Sequence, residues 1–388
     1  MRGHIAKKGN RYYAVVYEGI DAATGKPRHR WHAAGDTKKG AERTLGDLVK
    51  RMHDGDYRSP DKITLSDYLL ERWLPSKRTR VKHSTASAYE RNIRLHINPH
   101  IGLIPLQKLQ PEDLDELYVK LLTEGKRNGT GGGLSAKSVR NVHATIQSAL
   151  SDATRKGTVF RNVADIADPP SISRSGRSMN VWTGDQLRTF LETIAGHELY
   201  PLYFLAATTG MRRGEIAGLR WRNVGLDAAR LTVNQQIVSV EYELIEDDLK
   251  TASSRRTIDL DEQTIAMLRR HRRQQLEERM ATGQRGDDGF VFAKPDGSPV
   301  HPDLISQTFQ RFMAQSELPK IRLHDLRHTH ATILLQQNVH PKVVSERLGH
   351  SSIAFTMTVY QHVMPGMQAE AAATFGAAVF GENQSSGR

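Results

Sequence analysis

The sequence predicts a mixed α+β protein, mostly helical. It divides into a small N-terminal sheet-plus-helix domain, an all-α domain, and a mainly α domain with a small antiparallel sheet. Three observations carry this prediction. Strand-forming and aromatic residues gather before residue 35, apolar residues recur at helical spacing through most of the remaining chain, and stretches rich in Pro, Gly and Ser interrupt that pattern. At 388 residues the chain has room for more than one hydrophobic core.

Tyr12 to Tyr17 reads Tyr-Tyr-Ala-Val-Val-Tyr, a run of strand formers, and Asp21 to Lys26 supplies a Gly-containing turn before Arg28-His29-Arg30-Trp31-His32. This is a hairpin within a three-stranded sheet. Lys38 to His53 places Ala41, Leu45, Leu48, Val49 and Met52 on one side of a helix that backs the sheet, completing a domain over residues 1–58. Trp31 is open to two readings, the core of a tiny domain or an aromatic on a basic strand in a DNA groove. Asp54 to Asp61 has linker composition.

A helical domain follows over residues 63–160, with helices expected from Leu65 through Trp73, Ser84 to Ile97, Pro111 to Leu122 and Ser135 to Lys156. Pro111-Glu112-Asp113 suits a first helical turn, where the missing amide is no loss and negative charge meets the positive end of the dipole. The Gly-rich run from Gly125 to Gly133 lacks a following Gly-Lys-Ser/Thr, so it reads as an inter-helix loop and not a phosphate-binding loop. Residues 161–180, with Pro169, Pro170, Ser171, Ser173, Ser175, Gly176 and Ser178, form a linker. In the domain over residues 181–388, Thr183-Gly184-Asp185-Gln186 opens a helix and Tyr200 to Thr209 is a buried one. Leu231 to Leu244 is strand-like and Lys250 to Leu260 is expected to pair with it as a hairpin. The remainder from Glu262 is mostly helical.

Composition narrows the function. The formal net charge is +12 and the sequence pI about 9.8, which points to an anionic polymer as partner, nucleic acid first. The surplus is unevenly placed: residues 1–60 carry 13 Lys/Arg against 7 Asp/Glu, residues 61–180 carry 19 against 12, and residues 181–388 carry 23 against 24. Nonspecific attraction to a polyanion therefore belongs to the first 180 residues, while the rest uses its arginines at chosen points. With no cysteine, disulfides, thiolate zinc sites, iron–sulfur clusters and cysteine nucleophiles are excluded. The longest nearly apolar stretch, Leu199 to Met211, is too short for the roughly twenty residues a membrane span needs, and no secretion signal is evident, so an intracellular protein with no membrane partner is expected.

Four segments concentrate reactive groups: Thr208-Thr209-Gly210-Met211-Arg212-Arg213-Gly214-Glu215, Lys250 to Arg256, His324-Asp325-Leu326-Arg327, and Leu348-Gly349-His350 with Tyr360 ten residues later. Singly each has an ordinary explanation: an intrahelical ion pair for Arg212 with Glu215, a helix-end residue for His350, a core aromatic for Tyr360. His324 and His328, four apart on a helix, invite a metal reading with His330, but no carboxylate constellation or HExxH motif supports it.

In this order and spacing the four segments resemble the tyrosine recombinases, or phage-type integrases. The resemblance covers residues 181–365 and, more loosely, the first 180. It implies that Arg212, Lys250, His324, Arg327 and His350 assemble around a DNA phosphate attacked by Tyr360, and that Glu215 supports the active-site arginine. It also implies an arm-site DNA-binding domain, a core-site DNA-binding domain and a catalytic domain. The implied enzyme cleaves and rejoins DNA through a covalent 3′-phosphotyrosine, integrating or excising a phage or mobile element, with no cofactor and no metal.

Elementary chemistry agrees with that implication. Phosphodiester transfer gathers charge on nonbridging oxygens, and fixed guanidinium forks such as Arg212 and Arg327 suit it better than lysine. Tyr360 must lose a proton as it attacks, with the histidines as helpers, and Lys250 could protonate the leaving 5′ oxygen. Arg213 complicates the choice of inward arginine, although the Gly-Met-Arg pattern favours Arg212. Arg28, Arg30, Trp31, Arg255 and Arg256 are candidate DNA contacts. The small, apolar Met367 to Phe380 either buries in its own domain or, as the resemblance implies, docks on a neighbouring subunit of a homotetramer on double-stranded attachment sites. A host DNA-bending protein, an excisionase and a bacterial cytoplasmic, nucleoid-associated setting are further implications. The alternatives are a type IB topoisomerase and a non-catalytic DNA-binding regulator.

Overall fold

The computed structural model describes residues 3–20, 24–53, 62–126, 131–172, 180–248, 255–281, 289–350 and 367–380, in two compact units, Met1–Ser175 and Gly176–Arg388.

The first unit opens with an antiparallel sheet, β1 (Gly3–Lys8), β2 (Arg11–Ile20) and β3 (Pro27–Ala33), in that spatial order, followed by α1 (Lys38–His53). Gly3 pairs with Val16 and Val16 with Arg30, so these three share one face, while His4, Val15 and Trp31 share the other. The helix lies over the first face. A Cβ on Gly3 would come within 2.7 Å of Leu45, which is why the strand has glycine there.

Helices come next: α2 (Leu65–Asp67), a π-helical stretch Tyr68–Trp73 and α3 (Leu74–Arg78) run without a break, and α4 (His83–Asn92), a π-helical stretch Ile93–Ile97 and α5 (Asn98–Ile101) do the same. Two longer helices, α6 (Pro111–Glu124) and α7 (Ala136–Arg155), complete the set. Thr64 caps the first by accepting from the Asp67 amide at 3.1 Å, and the Asp113 carboxylate accepts from the Gln110 amide at 2.8 Å to cap α6. Leu69, Trp73, Ile93, Ile97, Leu114, Leu121 and Ile146 form a buried core. Asp152 of α7 receives Trp73 Nε1 at 2.9 Å and Lys77 Nζ at 3.0 Å, which joins the first helical run to the last helix.

The second unit begins with α8 (Gly184–Thr193), α9 (Tyr200–Thr209) and α10 (Arg213–Ala217). Thr183 and Gln186 cap α8 reciprocally, as the Thr183-Gly184-Asp185-Gln186 run predicts. Then come β4 (Val224–Gly225), β5 (Arg230–Val233), β6 (Gln235–Val240), β7 (Glu243–Asp248) and β8 (Arg256–Asp259). Helices α11 (Glu262–Ala281), α12 (Pro302–Gln315), α13 (Leu323–Gln336), α14 (Pro341–Leu348) and α15 (Met367–Phe380) close it. The single hairpin expected from Leu231 to Leu260 is instead two pairings. β5 joins β8 in the sheet β4-β5-β8, and β6 pairs with β7. The β6–β7 turn uses Glu241 and Tyr242 at φ 53° and 68°, a two-residue turn of the kind normally marked by Asn-Gly, so no turn signal announces it.

The core of this unit is aromatic. Phe190 lies with ring centroids 5.1 Å from Trp182, 5.4 Å from Phe309 and 6.2 Å from both Tyr203 and Phe312. Trp182 and Tyr203 also satisfy their polar atoms, on the carbonyls of Pro319 at 2.8 Å and Ile305 at 2.7 Å. Among the described residues no helix is long and apolar enough to cross a membrane. Phe190→Ala is expected to lower the unfolding free energy by about 3–5 kcal/mol, whereas Phe160→Ala, at an exposed phenylalanine, stays within about 0.5 kcal/mol. Denaturant midpoints of the two variants check the contrast.

Candidate active site

The site is assembled where α9, α10, α13, α14 and β8 meet. Helix α9 ends at Gly210 in the left-handed conformation, φ 63°, and a Cβ there would strike Leu348 at 2.6 Å and His330 at 3.0 Å. Only glycine permits both the turn and the approach. The chain then passes through buried Met211 to Arg212, which caps α10: the Arg212 amide donates to Glu215 Oε2 at 2.9 Å and its guanidinium to Glu215 Oε1 at 2.7 Å.

Glu215 is 1% exposed and is shared by two arginines. Arg256 of β8 donates to both of its oxygens, at 3.2 and 2.8 Å. Burial alone would push this carboxyl up, but the Arg256 hydrogen bonds and the charges of Arg256 and Arg212 outweigh it and hold it below the ordinary glutamate value.

Three consecutive carbonyls at the C-terminal end of α14 each accept from a different arginine. Arg256 Nε donates to Arg347 O at 2.7 Å, Arg327 to Leu348 O at 2.7 Å, and Arg212 to Gly349 O at 3.0 Å. These are carbonyls that a helix leaves without an intrahelical partner, at the negative end of its dipole. Arg327, 3% exposed on α13, also donates to Gly210 O at 2.8 Å. Gly349 itself turns left-handed at φ 68°, and the next residue is His350, whose amide donates to Ser345 O at 3.0 Å. Arg212, Arg327 and His350 are thus gathered around one helix end.

His324 lies one turn from Arg327 on α13 and meets His328 edge to face, ring centroids 5.0 Å apart. Burial, then the charges of Arg327 and Arg212, push His350 down to about 3. Burial and the neighbouring His324 push His328 down to about 4, and burial with Arg327 also lowers His324. His330 faces elsewhere: its Nδ1 pairs with Ala207 O at 3.0 Å and its Nε2 with Arg347 Nε at 3.1 Å. The three histidines of this helix therefore do not converge. Among the described residues no group of three His, Asp or Glu could hold a metal ion.

Arg213 turns away from the centre to Asp303 at 3.0 Å and Ser306 at 2.8 Å. Lys250 and Tyr360 lie outside the described residues. Arg255 is exposed just before β8. The expectation that Arg256 contacts DNA is corrected, because its side chain is 6% exposed and its donors are committed to Glu215 and Arg347 O. Sequence reasoning missed this residue as part of the site; its signal is the alternation of β8, which sends Arg256 and Ile258 inward, while the preceding Arg255 is exposed. Asp325 is likewise structural, accepting from the Arg322 amide at 2.7 Å and its guanidinium at 2.8 and 3.0 Å.

In the N-terminal sheet the candidate DNA contacts separate. Arg30 alternates with Trp31, and both Arg28 and Arg30 pair with the buried Glu18 carboxylate at 3.1 and 3.4 Å. Trp31 is half exposed on the opposite face, edge to face with Tyr13, and Tyr17 and His29 share that face. It is therefore not the core of this domain. The described side chains of α15 are mostly exposed, Phe375 among them.

The buried charges have two measurable consequences. Glu215→Gln leaves two guanidinium groups without their shared carboxylate, an expected loss of about 3–5 kcal/mol in denaturant unfolding. His328, His330 and His350 stay neutral in the fold down to about 4, 4 and 3, while an unfolded chain binds those protons near 6.5. Their contribution to stability is full above about 6.5 and declines as pH falls from there toward 4. The midpoint is expected to drop between pH 7 and 5, and less so in His330→Gln.

Comparison with known proteins accounts for this arrangement. The profile described as "Phage integrase family" matches residues 180–366, and "Phage integrase, N-terminal SAM-like domain" matches residues 64–122. A tyrosine recombinase XerC-like protein of Caldanaerobacter subterraneus is 28% identical over 96% of this chain and 97% of its own length. The ICEBs1 integrase of Bacillus subtilis is 27% identical over 95% and 98%. In fold, the chain is similar to the Tn1549 transposon integrase in complex with transposon right end DNA, with a TM-score of 0.65 at 22% identity over 82% of this chain and 99% of that one. It is also similar to a lambda integrase dimer bound to a core site, with a TM-score of 0.55 at 17% identity over 92% and 93%. The chain belongs to the phage integrase family and is a tyrosine-type site-specific recombinase, a DNA breaking and rejoining enzyme of phages and mobile elements.

Proposed function

We propose that Tyr360 is the nucleophile of this recombinase and that Arg212 and Arg327 hold the nonbridging oxygens of the phosphate it attacks. The observation that carries the reading is the meeting of these two arginines and His350 at the C-terminal end of α14, ten residues before Tyr360. The phenolic oxygen forms a bond to phosphorus as the bond to the 5′ oxygen breaks. Lys250 supplies the proton that oxygen needs, and the product is a 3′-phosphotyrosine with a free 5′ hydroxyl. Attack by a 5′ hydroxyl from another duplex reverses the chemistry and joins new strands without any other energy source. Neutral His350 donates a hydrogen bond to a nonbridging oxygen, and His324 donates beside it or carries a proton.

Residues 1–58 act as an arm-site domain, with Trp31 and its aromatic face toward DNA, residues 63–160 as a core-site domain and residues 181–388 as the catalytic domain, joined by the linker at 161–180. Arg255, which is exposed, touches the DNA backbone. A lambda integrase tetramer has been solved on a Holliday junction, and by analogy four copies of this chain would synapse two duplexes, with the exposed apolar helix α15 docking between subunits. A host bending protein and an excisionase would set direction in a bacterial nucleoid.

The test is a nicked duplex carrying the direct repeats that bound the element in its host DNA. The parent is expected to leave a protease-resistant peptide on the 3′ end, mapping to Tyr360, and Tyr360→Phe none while still binding the duplex. Equal adduct from both proteins would falsify the assignment. Arg212→Lys is expected to lower the adduct rate by about 100-fold or more, since an ammonium cannot reproduce the fork.

A further inference from the structure

Arg347 belongs to none of the reactive segments, yet its side chain ties the helix end at the site to three other elements. It projects from the last turn of α14, with Nε donating to His330 Nε2 of α13 at 3.1 Å, one terminal nitrogen to Asp259 O of β8 at 3.0 Å, and the other to Thr208 O of α9 at 3.1 Å. Its own carbonyl accepts from Arg256, and the carbonyls of the next two residues accept from Arg327 and Arg212. The side chain of Arg347 thus fixes the peptide units on which the other arginines rest.

His330 makes this fixing specific. An imidazole facing a carbonyl through Nδ1 must carry its proton there, so the Nδ1–H donates to Ala207 O and Nε2 is left with a lone pair for the Arg347 N–H. The ring is buried against Gly210, where a Cβ would meet it at 3.0 Å, so glycine at that position leaves the ring its seat. All three of these acceptors are uncharged. The guanidinium therefore holds α14 by direction, three bonds at three angles.

We propose that Arg347, seated on neutral His330, is a positioning residue that sets the aim of Arg212 and Arg327 through the carbonyls of α14. This rests on the roles proposed above for those arginines. Its part is alignment and not cohesion: the aromatic core of the unit lies at Trp182, Phe190 and Phe309, whereas Arg347 is bonded to His330, Asp259 O and Thr208 O.

The experiment uses the full chain and the nicked repeat-bearing duplex, with adduct rate, duplex affinity and melting temperature read for each protein. Arg347→Met and His330→Leu are expected to lower the adduct rate about 30-fold or more, with affinity held within about threefold. His330→Gln, which keeps an acceptor near the Nε2 position, is expected within about fivefold of the parent. The double variant Arg347→Met with His330→Leu is expected within about twofold of Arg347→Met alone, since both remove one device. The proposal is overturned by single-variant rates within threefold of the parent, by losses that multiply in the double variant, by His330→Gln no better than His330→Leu, or by affinity falling in step with rate. Unfolding of the single variants at assay temperature also overturns it, since cohesion would then be the role. Absence of adduct from the parent itself instead indicts the assignment of Tyr360.

Discussion

The site depends on one carboxylate. Glu215 is shut away from water between Arg212 and Arg256, and a lone ionised carboxylate there would cost several kcal/mol. One guanidinium would neutralise it. Two leave a surplus of positive charge, and Arg327 adds to it nearby while donating to the carbonyls of Gly210 and Leu348. On the roles proposed above, that surplus receives a phosphodiester, whose charge grows as a fifth oxygen approaches phosphorus. A buried ion pair of this kind adds little net stability over apolar packing, so its presence is better understood as placement of charge than as cohesion.

The same surplus adds to burial in lowering the proton affinity of the histidines beside it. Burial first and the facing arginines second lower the proton affinity of both His350 and His324. A neutral imidazole donates one hydrogen and can accept another, which suits the part proposed above for these two side chains. The positive surplus of the chain lies in its first 180 residues, while residues 181–388 are nearly balanced in charge, with 23 Lys/Arg against 24 Asp/Glu.

Much of this was legible in the residues. The capping pattern at Thr183, the buried character of Tyr200 to Thr209, and the segments around Arg212, His324 and His350 are local signals, and local signals survive folding. The hidden part depends on contacts between distant segments. Arg255 and Arg256 look alike in sequence, and only the register of β8 against β5 sends the second inward to Glu215. Arg212 and Arg213 differ by the same kind of rotation, one toward Gly349 and the other toward Asp303. His324, His328 and His330 read as one cluster on a helix, but His330 is turned by about 200° from His328 and faces α9. The turn at Glu241 and Tyr242 was silent because its φ values are imposed by the pairing of β6 with β7 and not by glycine.

Electrostatics explains why carbonyls, and not more carboxylates, hold these arginines. A carboxylate on each guanidinium would orient it equally well but cancel the charge the phosphate is meant to feel, and would repel the phosphate besides. A carbonyl supplies direction with only partial charge, and a helix C-terminus supplies several in a row without burying a side chain for each. The cost is that the carbonyls must themselves be fixed, because a helix end is ordinarily the part that frays. In this chain the left-handed Gly349 closes α14, and the side chain of Arg347 pins its last turn to α9, α13 and β8. Among the described residues, charge is kept by resting three arginines on backbone oxygens with Glu215 shared between two of them, and aim is kept by bracing the backbone that carries those oxygens.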